Sequence, residues 1–177
     1  LNGKNSTTAT VYYTKWNGVV GTSSTTLNVS SQSITIPADS VVTRIDYRAG
    51  NASTVEVSSS AAITYQSTSY TDASTTGDAL ANIASNSTGT INLYSDITTT
   101  GTQTYTGATY LNNNLALSGS SVTFADTLNS DSTARNLTVS GTANLNGAVG
   151  GINALGNLNF SGALDLNAAI ESAASLS

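Results

Sequence analysis

The chain contains no histidine, no cysteine and no methionine, and its single proline is Pro37. Without His or Cys, the usual general bases, nucleophile partners and zinc-ligand sets are missing. No disulfide can staple the fold, and cysteine usage gives no information about the redox compartment. Lys and Arg number five against ten Asp and Glu, a balance that argues against nucleic acid, whose phosphates need cations. No apolar run is long enough to cross a bilayer as a helix, so the chain is not expected to span a membrane. The acids Asp96, Asp126, Asp131 and Asp165 are isolated from one another in sequence. Asp126 and Asp131 flank one loop, but the glycine-aspartate calcium repeat is absent and a solvated loop is the simpler reading. "GGIN" at 150–153 lacks the spaced glycines and lysine of a phosphate loop. No catalytic residue, metal site or cofactor is therefore expected, and the chain does not read as an enzyme. The lack of methionine, with no basic and apolar leader at Leu1, points to a processed chain or a segment of a longer one.

What the sequence does contain is 27 Ser, 29 Thr and 19 Asn, with 38% hydrophobic residues among them. Disorder normally goes with high charge and few β-branched residues. Here only 8% are charged, and the apolar residues alternate with polar ones, the period of a strand. Val41, Thr43, Ile45 and Tyr47 would share one strand face, with Val42, Arg44, Asp46 and Arg48 on the other. Val55, Val57, Ser59, Ala61, Ile63 and Tyr65 continue the alternation. Helical periodicity is hinted at only in two short stretches, 78–83 and 168–174. Residues 67–88 are poor in apolar periodicity and read as a long loop or seam. Beyond Tyr110 the only aromatics are Phe124 and Phe160. These features divide the chain into an aromatic-containing β region, 1–88, that is sandwich-like or capping, and a repeat region, 89–177.

The repeats carry the main signal. "NLALSG" (114–119), "NLTVSG" (136–141) and "NLNFSG" (157–162) recur at 22 and 21 residues. Each is followed by an apolar-x-apolar pair and then by a lone apolar residue: Val122/Phe124 and Leu128, Ala143/Leu145 and Val149, Leu164/Leu166 and Ile170. Such a unit offers three short strands and cannot bury its apolar side alone. Stacked on its copies it forms one continuous core. The prediction is an all-β chain whose C-terminal half is a right-handed β-solenoid with three-strand coils of about 21 residues. Leu115, Leu137 and Leu158 would form one core column, and Leu117, Val139 and Phe160 another, with Leu145 and Leu166 also in the rung core. Asn114, Asn136 and Asn157 would stack as an amide ladder. Gly119, Gly141 and Gly162 would turn the corners, where φ is free to be positive.

"ITTTGTQTYTGATYL" (97–111) and "NGAVGGINALGNL" (146–158) resemble the repeats of large secreted bacterial adhesins, the filamentous-haemagglutinin-like and autotransporter-passenger β-helices. The resemblance spans about 89–170 and implies export, surface display, adhesion or fibre building, and no enzymatic residues. "SITIPADSVVTRIDYRAGNASTVEVSSS" (33–60) is similar to β-rich structural proteins of phage virions. Residues 1–48 hold Lys4, Lys15, Arg44 and Arg48 against Asp39 and Asp46, whereas the remainder holds eight acids against Arg135 alone. This polarity favours a homopolymer stacked head to tail, a heterologous contact that can propagate. The expected role is a structural subunit or segment of an extracellular bacterial fibre or adhesin. The alternatives are a glycan-binding adhesin module, reading cell-surface glycans through Tyr12, Tyr13 and Trp16, and a virion fibre or decoration protein. Arg44 and Arg48 would be assembly contacts on an acidic surface, or else, with Asp46, a self-compensated solvated ladder.

Overall fold

The structure, a computed structural model, describes residues 7–15, 17–27, 31–38, 40–48, 54–59, 63–72, 78–79 and 82–177. Among the described residues every regular element is a strand. The N-terminal portion holds β1 (Thr7–Lys15), β2 (Val20–Leu27), β3 (Ser31–Thr35), β4 (Ser40–Arg48), β5 (Thr54–Ser59), β6 (Ile63–Asp72), β7 (Asp78–Ala79), β8 (Asn82–Ser87) and β9 (Thr90–Leu93). Next come β10 (Ile97–Thr98), β11 (Thr102–Tyr105), β12 (Ala108–Leu111), β13 (Leu115–Phe124) and β14 (Leu128–Ser130). The last are β15 (Leu137–Leu145), β16 (Leu155–Phe160), β17 (Leu164–Leu166) and β18 (Ala173–Leu176).

The strands wind into a β-solenoid with coils of about 21 residues, from residue 34 on. One sheet runs β14-β12-β9-β6-β4-β1-β2 and the other β18-β16-β15-β13-β11-β8-β5-β3. Pairing between successive laps is parallel and in register. Leu117, for instance, lies beside Val139, and Val139 beside Phe160.

The winding begins well upstream of residue 89. β3 pairs with β5 and β5 with β8; β4 pairs with β6 and β6 with β9, all in parallel. Residues 67–88, read from sequence as a loop, contain the end of β6, the short β7 and the whole of β8. Two physical reasons hid this. The early laps are uneven, since Val55 pairs with Ile83, 28 residues on, while Gln103 pairs with Val122, 19 on. Their interior is also partly polar: Ser85, Ser87, Gln103 and Thr109 are buried, so hydrophobicity does not alternate along the strand. These groups are satisfied inside. The Tyr65 hydroxyl bonds Ser85, Tyr105 Oη donates to Gln103 Oε1 at 2.9 Å, and Gln103 Nε2 donates to the Ile97 carbonyl at 2.9 Å. Burial pushes the Tyr65 phenol far above its ordinary pKa, an effect that the Ser85 hydrogen bond partly offsets.

The early laps lay down two strands each, as in β3/β4 and β5/β6, rather than three. Three arms appear from β10 onward. β13 and β15 each supply two arms of one bent strand, and Leu128, Val149 and Ile170 align as the third. The two stretches with helical hints, 78–83 and 168–174, hold β7 and part of β8, and a bridge at Ile170 and part of β18.

One column shows how the core is built. Ile34, Val57, Ser85, Tyr105, Phe124, Leu145 and Leu166 are successive register partners, one per lap. Within it the Tyr105 and Phe124 rings stack with centroids 5.3 Å apart, a favourable aromatic separation.

At the N-terminal end β1 and β2 form an antiparallel hairpin, turned at Gly18 with φ +82°, and β1 pairs antiparallel with β4. Ser23 Oγ on β2 donates to the Thr35 carbonyl of β3 at 3.3 Å. The hairpin therefore reaches from one sheet to the other and caps the mouth of the coil, with Val11 buried beneath it.

Removing side-chain volume separates inner from terminal positions. Leu137→Ala, at a fully buried site, is expected to cost about 2–5 kcal/mol. Leu166→Ala, in the same kind of strand, is expected to cost less than about 1 kcal/mol. Urea midpoints of the two variants beside wild type check this, and equal losses would contradict the stacking order.

Candidate functional site

The repeated motif places its residues as columns. Leu115, Leu137 and Leu158 are register partners, as are Leu117, Val139 and Phe160. All are buried except Phe160, which is half-buried. Leu145 is buried too, whereas Leu166, expected in the same rung core, is 44% exposed because no described strand lies beyond β17.

Asn114, Asn136 and Asn157 do form a ladder, with a different bond from the expected amide-to-amide one. The Asn136 backbone N–H donates to Asn114 Oδ1 at 2.9 Å, and the Asn157 N–H donates to Asn136 Oδ1 at 2.7 Å. Each side chain thus takes the main-chain donor of its partner one lap later, just where the strand begins. Two residues missed by sequence reasoning do the same: Asn82 Oδ1 accepts from Thr102 N–H at 2.6 Å, and Asp96 Oδ1 from Ala116 N–H at 2.8 Å. The legible signal was Asn or Asp immediately before an apolar residue, in "NIA", "DIT", "NLA", "NLT" and "NLN". An acceptor there extends the ladder by one bond, worth about 1 kcal/mol.

The corner glycines are required mainly by close approach rather than by φ. Only Gly141 of the three has positive φ, +118°. A Cβ on Gly119 would stand 2.6 Å from the Gly101 carbonyl oxygen, one on Gly141 1.9 Å from that of Gly119, and one on Gly162 2.3 Å from that of Gly141. Successive corners press backbone on backbone, and no side chain fits between.

Charges are sparse and mostly local. Arg135 Nε and Nη2 donate to the two carboxylate oxygens of Asp131 at 3.0 and 2.6 Å. That bidentate pair closes the loop after β14, and Asp126 Oδ1 accepts from its neighbour Thr127 N–H. Among the described residues no group of three or more His, Cys, Asp and Glu is placed to hold a metal ion. Hydrogen bonding from Arg135 holds the Asp131 carboxyl below the usual carboxylate range. Arg44 and Arg48 belong to β4, opposite Tyr12 and Thr8 of β1; their side chains, and all of Trp16, lie outside the described residues.

The feature that stands apart is the last coil. Leu164, Leu166 and Ile170 are register partners of Ala143, Leu145 and Val149. The inner three are fully buried, while Leu164 and Ile170 are half-buried and Leu166 is 44% exposed. Leu176, partner of Leu158, is 51% exposed. β17 pairs only with β15 and β18 only with β16, so both present an open edge among the described residues. Asp165 and Glu171 sit exposed in the same coil. This apolar floor with an open strand edge and an acidic fringe is the candidate site. Comparison with protein-family models, curated proteins and solved structures finds no match to this chain.

Two measurements test this geometry. Gly18 has positive φ but open space around its Cβ position, so Gly18→Ala should cost about 1 kcal/mol. Gly141→Ala adds a backbone collision and should cost about 3 kcal/mol or more in urea unfolding. For Asp131, the folded-state pKa lies below the unfolded one, so the pair stabilises the fold above the ordinary carboxylate pKa near 4. That stability disappears as pH falls through the lower folded value. Asp131→Asn should melt slightly below wild type at pH 7, the effect being small for a solvent-facing pair. The gap should close below about pH 4; a gap that persists at pH 2 would refute the assignment.

Proposed function

We propose that the chain is a structural subunit or segment of an extracellular bacterial fibre or adhesin, which assembles head to tail through its ends. The observation that carries this is the burial break along one column: Leu145 is fully buried, and its partner one lap on, Leu166, is 44% exposed. Interior positions facing solvent, beside a strand edge with no partner, favour covering by another polypeptide. The charge polarity of the sequence supports the direction, with a net +2 over residues 1–48 and −7 over the rest. Contacts between unlike ends do not close on themselves and so propagate into a filament. The resemblance of 97–111 and 146–158 to adhesin repeats supports surface display, and the sparsely charged, hydroxyl-rich chain suits a rod.

Negative-stain electron microscopy with light scattering across a concentration series tests the proposal. Linear assemblies of wild type are expected to lengthen with concentration. Leu166→Asp, at an exposed position, should leave circular dichroism unchanged and remove them. Monodisperse wild-type particles at all concentrations would overturn this function.

A further inference from the structure

Resting on that reading, we infer that the partner surface for the open C-terminal floor is the turn end of the β1–β2 hairpin on a second copy of the chain. The hairpin supplies the outermost strands of one sheet at the N-terminal mouth, β1 beside β4 and β2 beyond it, so a neighbour approaching that end meets the hairpin. At its turn, Val19 and Val20 are 52% and 73% exposed. Both are exposed large aliphatic residues, and Lys15 stands at the same end of β1, its N–H bonded to the Val19 carbonyl. The floor offers the matching set: Leu164, Leu166 and Ile170 for the valines, and Asp165 and Glu171 for the lysine. Apolar meets apolar and cation meets anions.

The competing arrangement, floor against floor in a two-fold dimer, would bring two copies of Asp165 and Glu171 together with no Lys or Arg anywhere in residues 162–177. Like charges facing one another oppose that packing. The hairpin-to-floor contact is heterologous, uses different surfaces on the two copies and leaves one of each free at the ends, so it grows.

The test uses the full chain carrying reciprocal charge changes. Lys15→Glu makes both contact surfaces acidic, and Asp165→Lys with Glu171→Lys makes both basic. Each variant alone should need about tenfold more protein to assemble than wild type, the scale of reversing exposed charge pairs. An equimolar mixture should assemble like wild type, as an alternating copolymer. Val20→Asp alone should also abolish filaments while circular dichroism is retained. If wild type forms filaments but Lys15→Glu and Val20→Asp form them equally well, or the mixture shows no rescue, the hairpin assignment fails and the fibre reading stands. Wild type forming only closed dimers, or no assembly, overturns both.

Discussion

Every lap of this chain can bury its apolar side only against the lap before and the lap after. Strands in one sheet lie about 4.8 Å apart, so one interior position touches its equivalents about 21 residues away as well as the facing side chains of its own lap. This constraint accounts for the residue types along the columns. Tyr105 over Phe124 over Leu145 fills the interior with side chains of decreasing size. At the corners Gly119, Gly141 and Gly162 bring the same spacing down to bare backbone. At the strand starts, Asn or Asp reaches one lap along to the main-chain donor of its partner. A unit so dependent on neighbours leaves its terminal surfaces in different states unless something covers both.

The C-terminal laps were readable because their period is regular and their inner residues are apolar. Leu115, Leu137 and Leu158 fall at equal places in the repeated hexapeptide, and they are register partners. The earlier laps were hidden. Ser85, Gln103 and Thr109 occupy inward positions, where their hydroxyl and amide groups are paired internally, so an inward face looks polar in the sequence. The hexapeptide Asn was correctly placed and incorrectly bonded. Stacked side chains suggest amide-to-amide bonding, but a strand starting in register places a main-chain N–H nearer. The glycines were given a conformational role when the stronger demand is steric; only a neighbouring backbone, invisible in one lap's sequence, reveals that. The hairpin cap left no repeat to detect, and its turn at Asn17-Gly18 is a signal that was available locally.

The two ends of the rod are chemically unlike, and this matters more than either end alone. At one the β1–β2 hairpin is the outermost element of a sheet, and at the other Leu166 and Leu176 face solvent. In the proposed fibre, association between these different surfaces would make direction a property of the fold. Energy and direction would have separate sources in that fibre. Burial at about 25 cal/mol per Å² of apolar surface would provide the attraction, while Asp165, Glu171 and the basic N-terminal portion would select which end is met. Exposed charges screened over about 8 Å at physiological salt cannot hold a filament together, but they suffice to make floor-to-floor encounters less favourable than floor-to-hairpin ones. Salt should therefore blunt the selectivity of assembly before it weakens assembly itself, because apolar burial is not screened by ions.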